Sequence, residues 1–557
     1  MRFYFFSAGK SALAAFVALS FLSCVDARTP VANSQTPTPV TSNTSREPAP
    51  PSVLIDSSLP KTGGHTVEVN PGAGARAFQT ALDAAKPGDV ISLKAGATYE
   101  GNFKLPKKAG SNWIIIRTSS SDDQLPPPGT RISPRYASAL PKLVSPNADP
   151  VISTAPGANH YRFVGVEFST APGWAQNHGL IVLGDGEQAS PDAIPRDLII
   201  DRCYIHGDKN VNLKRAVALN SGATAIIDSY ISDVHEVGAD SQAICGWNGP
   251  GPFKIVNNYL EGAGENVMFG GADPKVPNLV PSDIEFRSNH CSKPLTWMVQ
   301  DPSYAGKHWS IKNLFELKNA RRVIIDGNLF ENNWVDGQSG FGVLFTVRNQ
   351  DGTAPWSVVE DITFTNNILR HTGAGINFLG RDDNHPSEQV KRVLVRNNLF
   401  EDIGGKRWGN NGRFVQIVET VNVTIDHNTA FHTGNIVTAY GTPNTNFMFT
   451  NNIAPHNEYG VMGDGSSVGN PTIQRYFPGS VFKKNVIIGG RNNSYPAENF
   501  FPASIEFADR NNGDYRLKTA SYHNAGTDQK DIGCDVAGLK TAIAAGRSEQ
   551  VNTAKSN

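Results

Sequence analysis

The sequence has 557 residues, only 18 % of them charged, and its 50 Lys and Arg residues nearly balance 51 Asp and Glu residues. A net charge of −1 excludes bulk charge as a basis for nucleic-acid binding, so any charged partner must be recognised locally. Beyond the N-terminal leader, no apolar stretch is long enough to span a bilayer.

The first 23 residues have the pattern of a signal peptide of the lipoprotein type. Arg2 and Lys10 precede an apolar run, Ala12–Leu22, that is too short for a membrane-spanning helix. The run leads into Cys24 in a motif that resembles a bacterial lipobox, which predicts a lipid on that cysteine. Ordinary cleavage nearby is the alternative. We expect an exported protein, either lipid-anchored to a bacterial membrane or periplasmic or extracellular.

Residues 24–55 are predicted to be a disordered tether. The segment is rich in Pro and Thr, a composition that cannot form a core. We expect the folded domain to span residues 56–545 and a disordered tail to span residues 546–557.

An amphipathic helix is predicted near the start of the folded domain. Phe78, Ala81, Leu82 and Ala85 recur at helical spacing. The open end of a stacked β structure exposes apolar core and unpaired strand edges, so we expect this helix to cap it.

A sequence motif repeats along the rest of the chain. It is a predicted strand of alternating apolar residues that ends in Asn and two apolar residues. Arg321–Phe330, Asp361–Leu369 and Arg392–Phe400 are three copies. A spacing of about 24 to 39 residues is typical of stacked coils that share one core. We expect each terminal Asn to tolerate left-handed backbone geometry and to bond its counterparts in the neighbouring coils. These residues are Asn258, Asn289, Asn328, Asn367, Asn398, Asn428, Asn452 and Asn485.

These coils, together with Phe78–Val90 and Tyr99-Glu100-Gly101, resemble the parallel β-helix proteins of the pectate-lyase-like superfamily. The resemblance covers about residues 64–540. It implies an all-β fold, a right-handed parallel β-helix. It does not imply one activity, because that superfamily includes lyases, hydrolases, epimerases and non-catalytic surface proteins.

A second recurring strand presents alternate side chains to solvent. Aligning its copies predicts that Lys318, Arg348 and Arg381 stack about 4.8 Å apart in consecutive coils. Stacked cations repel one another unless an anion faces them, and a polysaccharide with one carboxylate per sugar is such an anion.

The same column predicts further contacts to sugar. Glu419 and Tyr440 follow the three cations, and Trp247 stands nearer the start. The rings of Trp247 and Tyr440 are flat platforms for sugar rings. Glu316 adds a carboxylate on the same face, either to bind the substrate or to form an ion pair with Lys318.

Such a surface suits β-elimination. The reaction needs a cation to neutralise the uronate carboxylate, a base for the C5 proton, and release of the leaving oxygen. A neighbouring Arg disfavours the charged form of Lys318, which suits that lysine to act as the base. Arg348 stays charged and suits the carboxylate.

Two strands are similar to the chondroitinase B and alginate-lyase group of β-helix lyases. Asn313–Asn319 resembles the strand that carries the Lys of that group, and Leu344–Arg348 resembles the strand that carries its Arg. The resemblance implies that Lys318 is the base and that Arg348 assists at the same subsite.

The sequence leaves a calcium cofactor open. Members of this group that use calcium carry acidic residues a few positions before the Lys, where this chain has Ile311, Lys312 and Asn313. Two other interpretations of the basic column also stay open. One is glycan binding without cleavage, and the other is a solvated surface whose cations are bridged by nearby carboxylates.

A competing constellation is built from carboxylates. Counting from the corner aromatics predicts that Glu236 and Glu265 stack one coil apart, near His235, Asp240 and Asp273. Paired carboxylates serve glycoside hydrolases or hold calcium. Such residues also commonly satisfy backbone amides in loops.

The remaining cysteines are not arranged as a zinc site. Cys203, Cys245, Cys291 and Cys534 lack paired C-x-x-C spacing, and the sequence assigns no disulfide among them. Taken together, the sequence predicts an exported, monomeric β-helix that handles an acidic polysaccharide, with a lyase favoured over a binding protein or a hydrolase. It does not choose the polymer, or endo over exo action.

Overall fold

The computed structural model describes residues 46–60, 62–73, 76–409 and 411–544. The predicted signal peptide, Cys24, the tether up to residue 45 and the predicted tail lie outside this part of the chain. Within it, no helix is both long enough and apolar enough to cross a membrane.

The described chain winds into a right-handed parallel β-helix with three long sheets. Each full coil adds one strand to sheet 1, then one to sheet 2, then one to sheet 3, and every strand pairs in parallel with its counterparts in the neighbouring coils. The 14 strands of sheet 1 are Thr66–Val69, Val90–Leu93, Ile114–Thr118, Asn159–Val164, Arg196–Asp201, Gly222–Ile227, Phe253–Val256, Ser282–Arg287, Ala320–Asp326, Val359–Thr365, Lys391–Arg396, Val421–Asp426, Met448–Thr450 and Val481–Lys483.

Sheets 2 and 3 complete the coils, and sheet 3 contains the second recurring strand of the sequence. The 13 strands of sheet 2 are Thr98–Glu100, Lys142–Ser145, Glu167–Thr170, Tyr204–His206, Tyr230–Ser232, Tyr259–Glu261, His290–Ser292, Leu329–Asn333, Ile368–Thr372, Leu399–Ile403, Thr429–His432, Ile453–Pro455 and Val486–Ile488. The 12 strands of sheet 3 are Phe103–Leu105, Ile152–Thr154, Ile181–Leu183, Arg215–Leu219, Gln242–Gly246, Glu265–Phe269, Asn313–Leu317, Phe341–Thr346, Ala374–Leu379, Val415–Val418, Val437–Ala439 and Val461–Gly463.

Short strands, helices and 3₁₀ turns lie outside the three long sheets. Gln176–Asn177 pairs with Asn212–Leu213, and Phe507–Asp509 pairs antiparallel with Asp514–Leu517. The α-helices are α1 (Ala77–Ala84), α2 (Gly405–Trp408), α3 (Asn470–Tyr476) and α4 (Val536–Ala544). The 3₁₀ turns are Pro71–Ala73, Asp122–Gln124, Pro134–Ala139, Pro191–Ala193, Leu295–Trp297, Asn492–Ser494, Arg510–Asn512 and Ala520–Tyr522.

The core is a column of inward side chains stacked from coil to coil. Phe286, Phe330 and Phe364 are fully buried, and their ring centroids lie 6.2 and 5.9 Å apart in succession. Burial of each such ring stabilises the fold by about 2 to 3 kcal/mol. At the N-terminal end, α1 buries Phe78 against Phe103, with ring centroids 4.8 Å apart, so the predicted cap is confirmed.

The predicted asparagine ladder is present at the corner between sheets 1 and 2. The backbone N–H of Asn289 donates to Oδ1 of Asn328 at 2.8 Å, and that of Asn328 donates to Oδ1 of Asn367 at 2.9 Å. The left-handed geometry belongs to the preceding residue, for example Gly327 with φ 65° and Asn366 with φ 56°. Because that residue makes the turn, the ladder asparagine is free to point inward.

The four described cysteines are free thiols. Cys203 is fully buried at the same corner, where its backbone N–H donates to Oγ of Ser229 at 3.0 Å. Cys203 therefore stands at the corner position that asparagine occupies in other coils.

Residues 46–58 lie along the outer face of sheet 1, and we call them the strap. The backbone N–H of Ala49 donates to Asp361 at 3.0 Å, and that of Ser52 donates to Asp283 at 2.7 Å. The two aspartates stand two coils apart, and three residues of extended, Pro-rich chain cover about the same 9 to 10 Å. The strap therefore runs parallel to the solenoid axis, and the part of the predicted tether from residue 46 to residue 55 is bound to the sheet.

Candidate functional site

Sheet 3 carries the predicted basic residues in a different register. Leu317 pairs with Phe345, so Lys318 lies opposite Thr346, which pairs in turn with Leu379. Arg348 and Arg381 follow two residues later, in the loops that leave the sheet. The predicted single column of cations is wrong, because side chains alternate with a period of two and the apolar pattern cannot detect a shift of two residues.

Lys318 lies at the end of its strand with its stem packed on the preceding coil. A Cβ atom on Gly270 (φ +95°) would lie 2.8 Å from the Cβ of Lys318, so only glycine leaves room for this side chain. Its Nζ lies 3.7 Å from Oε1 of Glu316, and 15 % of the side chain is exposed. The ammonium is thus held at the surface of sheet 3 by one carboxylate.

Glu316 is turned towards the protein. It is 2 % exposed. Its Oε2 accepts a hydrogen bond from Nδ2 of Asn313 at 3.1 Å, and its Oε1 accepts one from Oγ1 of Thr346 at 3.3 Å. These bonds suit Glu316 to position Lys318.

Arg348 follows Lys318 along this face of the protein, one coil later, and a backbone hydrogen bond joins the two residues. Its N–H donates to the carbonyl oxygen of Lys318 at 2.9 Å. Its guanidinium binds Oδ1 of Asp382 at 2.9 Å and also contacts Asp383. Burial alone would raise the pKa of Asp382, but bonds from two backbone N–H groups and from Arg348 lower it, so the pair stays ionised.

Arg381, Glu419 and Tyr440 continue this surface. Nε of Arg381 lies 3.3 Å from Oε1 of Glu419, so the two predicted substrate contacts pair with each other. Burial and the nearby Asp383 raise the pKa of Tyr440, which keeps its phenol protonated. Trp247 follows the strand Gln242–Gly246, on the N-terminal side of Lys318 along sheet 3, and is half-buried.

The predicted carboxylate pair is not formed as expected. Glu265 stands in register with Gln242, whose Nε2 donates to its Oε2 at 2.8 Å, whereas Glu236 lies in the loop before that strand. The loops differ in length, so counting from the corner aromatics misplaces Glu236. The other oxygen of Glu265, Oε1, lies 3.7 Å from Nζ of Lys312, which also contacts Asp240.

Asp273 has a different role from the one predicted. Its Oδ2 accepts bonds from the backbone N–H groups of Asp351 and Thr353, at 3.1 and 2.8 Å, and from Oγ1 of Thr353 at 2.8 Å. Asp273 therefore anchors the loop after Arg348 by hydrogen bonds and does not pair with Glu265.

One member of the acidic constellation, Glu265, joins Lys318 of the basic column in one site. Glu265 pairs in register with Asn313, and Asn313 binds Glu316, which faces Lys318. Burial and the nearby Glu316 raise the pKa of Glu265 to about 7, although Lys312 acts in the opposite direction. A carboxyl group with such a pKa beside a lysine is typical of functional sites.

Sequence reasoning missed the groups that support this site. Lys293 is fully buried, and its Nζ donates to the carbonyl oxygens of residues 262, 263, 264 and 313 and to Oδ1 of Asn266. Burial lowers its pKa to about 7. His235 is also buried, and its ring stacks on Trp309 with centroids 3.6 Å apart. The Trp cluster around it packs on Ala263 and Ile311, close to Glu265 and Lys312.

The residues present do not fit the calcium ion that the family resemblance leaves open. The ammonium of Lys312 lies between Asp240 and Glu265, where it would repel a divalent cation. Among the described residues, no group of three or more His, Cys, Asp and Glu side chains is arranged to hold a metal ion.

A separate cavity of about 1210 Å³ lies away from sheet 3, between the outer edge of sheet 1 and the C-terminal segment. Its lining mixes cations such as Arg396 and Lys530 with anions such as Asp426 and Asp528. That balance does not match a polyanion, so we place the candidate site on sheet 3.

Comparison with known proteins yields matches only among solved structures. No protein-family model and no curated protein matches the chain. The matched solved structures described below share the parallel β-helix fold that the sheet topology of this chain shows directly. An alginate lyase of family PL6 is 14 % identical, with a TM-score of 0.49 over 85 % of this chain and 58 % of that enzyme. The chain thus spans less than two thirds of that enzyme's length.

Two further solved structures have lower scores. A mannuronic-acid-specific polysaccharide family 6 lyase from human gut microbiota is 13 % identical, with a TM-score of 0.41 over 81 % of this chain and 93 % of that one. A tailspike protein of an E. coli bacteriophage, in complex with a pentasaccharide, is 14 % identical, with a TM-score of 0.46 over 76 % of this chain and 64 % of the other.

Proposed function

We propose that this protein is an exported polysaccharide lyase that cleaves a uronate-containing polymer by β-elimination on the outer face of sheet 3. The observation that carries the proposal is the pairing of Lys318 with Arg348, which follow one another in adjacent coils and share a backbone hydrogen bond. The leader pattern supports export, with lipid attachment at Cys24 and a monomeric state as further parts of the proposal.

In the proposed reaction, Lys318 first gives its ammonium proton to water, and its amine nitrogen then takes the C5 proton of the uronate. The electron pair of that C–H bond forms the C4–C5 double bond, and the C4–O bond to the leaving sugar breaks. The leaving oxygen then takes a proton from the Lys318 ammonium or from water. Glu316, 3.7 Å from Nζ, steadies the ammonium once it forms.

Arg348 stabilises the negative charge that develops on the substrate carboxylate when C5 is deprotonated. A guanidinium suits this task because it stays ionised and binds a carboxylate through two parallel N–H groups. Arg348 is 27 % exposed and already binds Asp382 and Asp383. The substrate carboxylate therefore replaces Asp383, the more exposed of the two partners, at 65 % exposure.

The remaining residues on this face would bind neighbouring sugars. Arg381 is 45 % exposed, which leaves it accessible to a second carboxylate in exchange for Glu419. Trp247 and Tyr440 would provide stacking surfaces on either side of Lys318. No step of this reaction passes through a metal ion.

A second candidate function is glycan binding without cleavage. The observation that favours it is that Arg348 and Arg381 each already pair with a carboxylate of the protein. Cations neutralised in this way bind a polyanion only by exchange, which suits reversible recognition.

The test is a panel of acidic polysaccharides with the purified protein, followed by ultraviolet absorbance of unsaturated uronate and by an assay for reducing ends. A lyase raises both signals. A hydrolase using Glu265 raises only the reducing ends. Retention of a polymer with neither signal supports the binding protein.

A further inference from the structure

We propose that Lys312 is a built-in counter-ion, which holds the acidic half of the sheet 3 site in place where another protein would use a bound divalent cation. The inference goes beyond the proposed reaction and does not rest on it, because calcium binding and thermal unfolding test it in the absence of substrate.

Lys312 lies between two carboxylates. Nζ of Lys312 contacts Asp240 and lies 3.7 Å from Oε1 of Glu265, so one ammonium bridges carboxylates from two separate segments. The Lys312 side chain is 18 % exposed and Glu265 is fully buried. The charge is thus shielded from water on the side of Glu265, where Coulomb attraction is strongest.

Lys312 keeps its positive charge in this position. Burial would lower the pKa of Lys312, but Glu265 and Asp240 outweigh burial and raise it, so the ammonium persists. Without this cation, Glu265 would face Glu316 and Asp240. Lys293 also interacts with Glu265, but its ammonium already donates to backbone carbonyl oxygens. A buried carboxylate that loses its partner is strongly destabilising.

The residues in register with Glu265 supply further oxygen atoms on this side of sheet 3. Gln242, Glu265 and Asn313 stand in register on three successive coils. Oε1 of Gln242, Oε1 of Glu265 and Oδ1 of Asn313 are each buried without a hydrogen-bond partner. Carboxylate and amide oxygens of this kind are the ligands that calcium prefers. Without the ammonium, these oxygens and the Glu265 carboxylate would be left to attract a divalent cation.

The role is one of positioning. Asn313 links this acidic cluster to Glu316, and Glu316 faces Lys318. Lys312 therefore acts on the proposed base through its neighbours and does not itself touch the substrate.

The experiment compares the wild-type protein with Lys312→Gln, Lys312→Arg and, as a matched control, Lys318→Gln, which removes the ammonium that faces Glu316. Each is freed of metal with EDTA and then titrated with calcium chloride alone, with calcium binding followed by calorimetry and unfolding by thermal melts. We expect Lys312→Gln to melt lower than wild type and to gain about 2 °C or more from millimolar calcium. Wild type, Lys312→Arg and Lys318→Gln should bind no calcium and show no shift.

Two results would overturn the proposal: a wild-type protein that binds calcium and gains the same shift, or a Lys312→Gln variant as stable as wild type and indifferent to calcium. If Lys312→Gln does not fold, the double variant Glu265→Gln/Lys312→Gln decides, because it removes the buried charge together with its partner. Recovery of folding in the double variant supports the counter-ion, and equal instability of both variants contradicts it.

Discussion

The backbone N–H of Arg348 donates to the carbonyl oxygen of Lys318, 2.9 Å away, so the two residues proposed for catalysis are joined across one coil boundary. The side chain of Lys318 packs on Gly270 of the preceding coil, whereas that of Arg348 binds Asp382 of the following coil. In the proposed reaction, the sugar lies on sheet 3 between these two groups.

Arg348→Lys tests the guanidinium. The substitution keeps the charge but loses the planar fork that binds a carboxylate through two hydrogen bonds. We expect kcat/KM for the cleaved polymer to fall about 100-fold or more, since charge stabilisation of this type is worth that much. The matched control is Arg396→Lys, which alters an Arg–Asp pair in sheet 1 with a distance of 2.9 Å to Asp426. Equal activity in the two variants would remove Arg348 from the mechanism.

Glu265→Gln tests the perturbed carboxyl group through the pH dependence of stability. Its pKa is raised from 4.5 to about 7 in the folded protein, so the folded state binds this proton more tightly than the unfolded state does. Stability contributed by the protonated group is complete below about pH 4.5 and is lost as the pH rises to about 7. Glutamine mimics the protonated form at every pH.

We therefore expect Glu265→Gln to gain stability relative to wild type between pH 4.5 and pH 7.5, by about 3 kcal/mol at most. Urea unfolding at several pH values measures the difference. A difference that is constant across this range, or that falls as the pH rises, would show that Glu265 is ionised throughout.

Asp283→Ala tests the strap. Asp283 accepts the N–H of Ser52 and also pairs with Arg322. We expect faster hydrogen exchange at Ser52 and its neighbours, because an amide released from its acceptor exchanges through local opening. Asp326→Ala is the control, since it also removes the partner of an arginine in sheet 1, Arg287, but does not touch the strap. Unchanged protection at Ser52 in the Asp283 variant would mean that other contacts hold the strap.

Asn328→Ala tests the ladder. The amide of Asn328 accepts from Asn289 at 2.8 Å and donates to Oδ1 of Asn367 at 2.9 Å, all within the buried corner. Its loss leaves buried backbone groups without partners, which costs about 2 to 4 kcal/mol. The urea midpoint should fall accordingly, while Asn493→Ala, at an exposed position, should leave it unchanged. A midpoint equal to that of wild type would show that the ladder contributes no stability.

The repeat pattern was sufficient to predict the fold. Each ladder asparagine, such as Asn328, ends a strand at the same corner, so its recurrence marks the coils directly. The cap was equally predictable, because Phe78 and Leu82, which recur at helical spacing, are the residues that α1 buries.

The candidate site was harder to predict from the sequence than the fold, for physical reasons. A register shift of two residues preserves the inward and outward faces of a strand, so the sequence placed Arg348 beside Lys318 when Thr346 stands there. Loop lengths hid the contact between Lys312 and Asp240, which are 72 positions apart in the sequence. Such pairings depend on three-dimensional packing and have no local signature.

The measurement that tests the central claim most directly is ultraviolet absorbance of unsaturated uronate during incubation with a panel of acidic polysaccharides, for wild type and Lys318→Ala side by side. We predict a rising signal on at least one uronate polymer that Lys318→Ala abolishes and that exposed-surface Lys518→Ala retains. Binding without an absorbance change on every polymer of the panel, or a signal that survives in Lys318→Ala, would contradict β-elimination by Lys318.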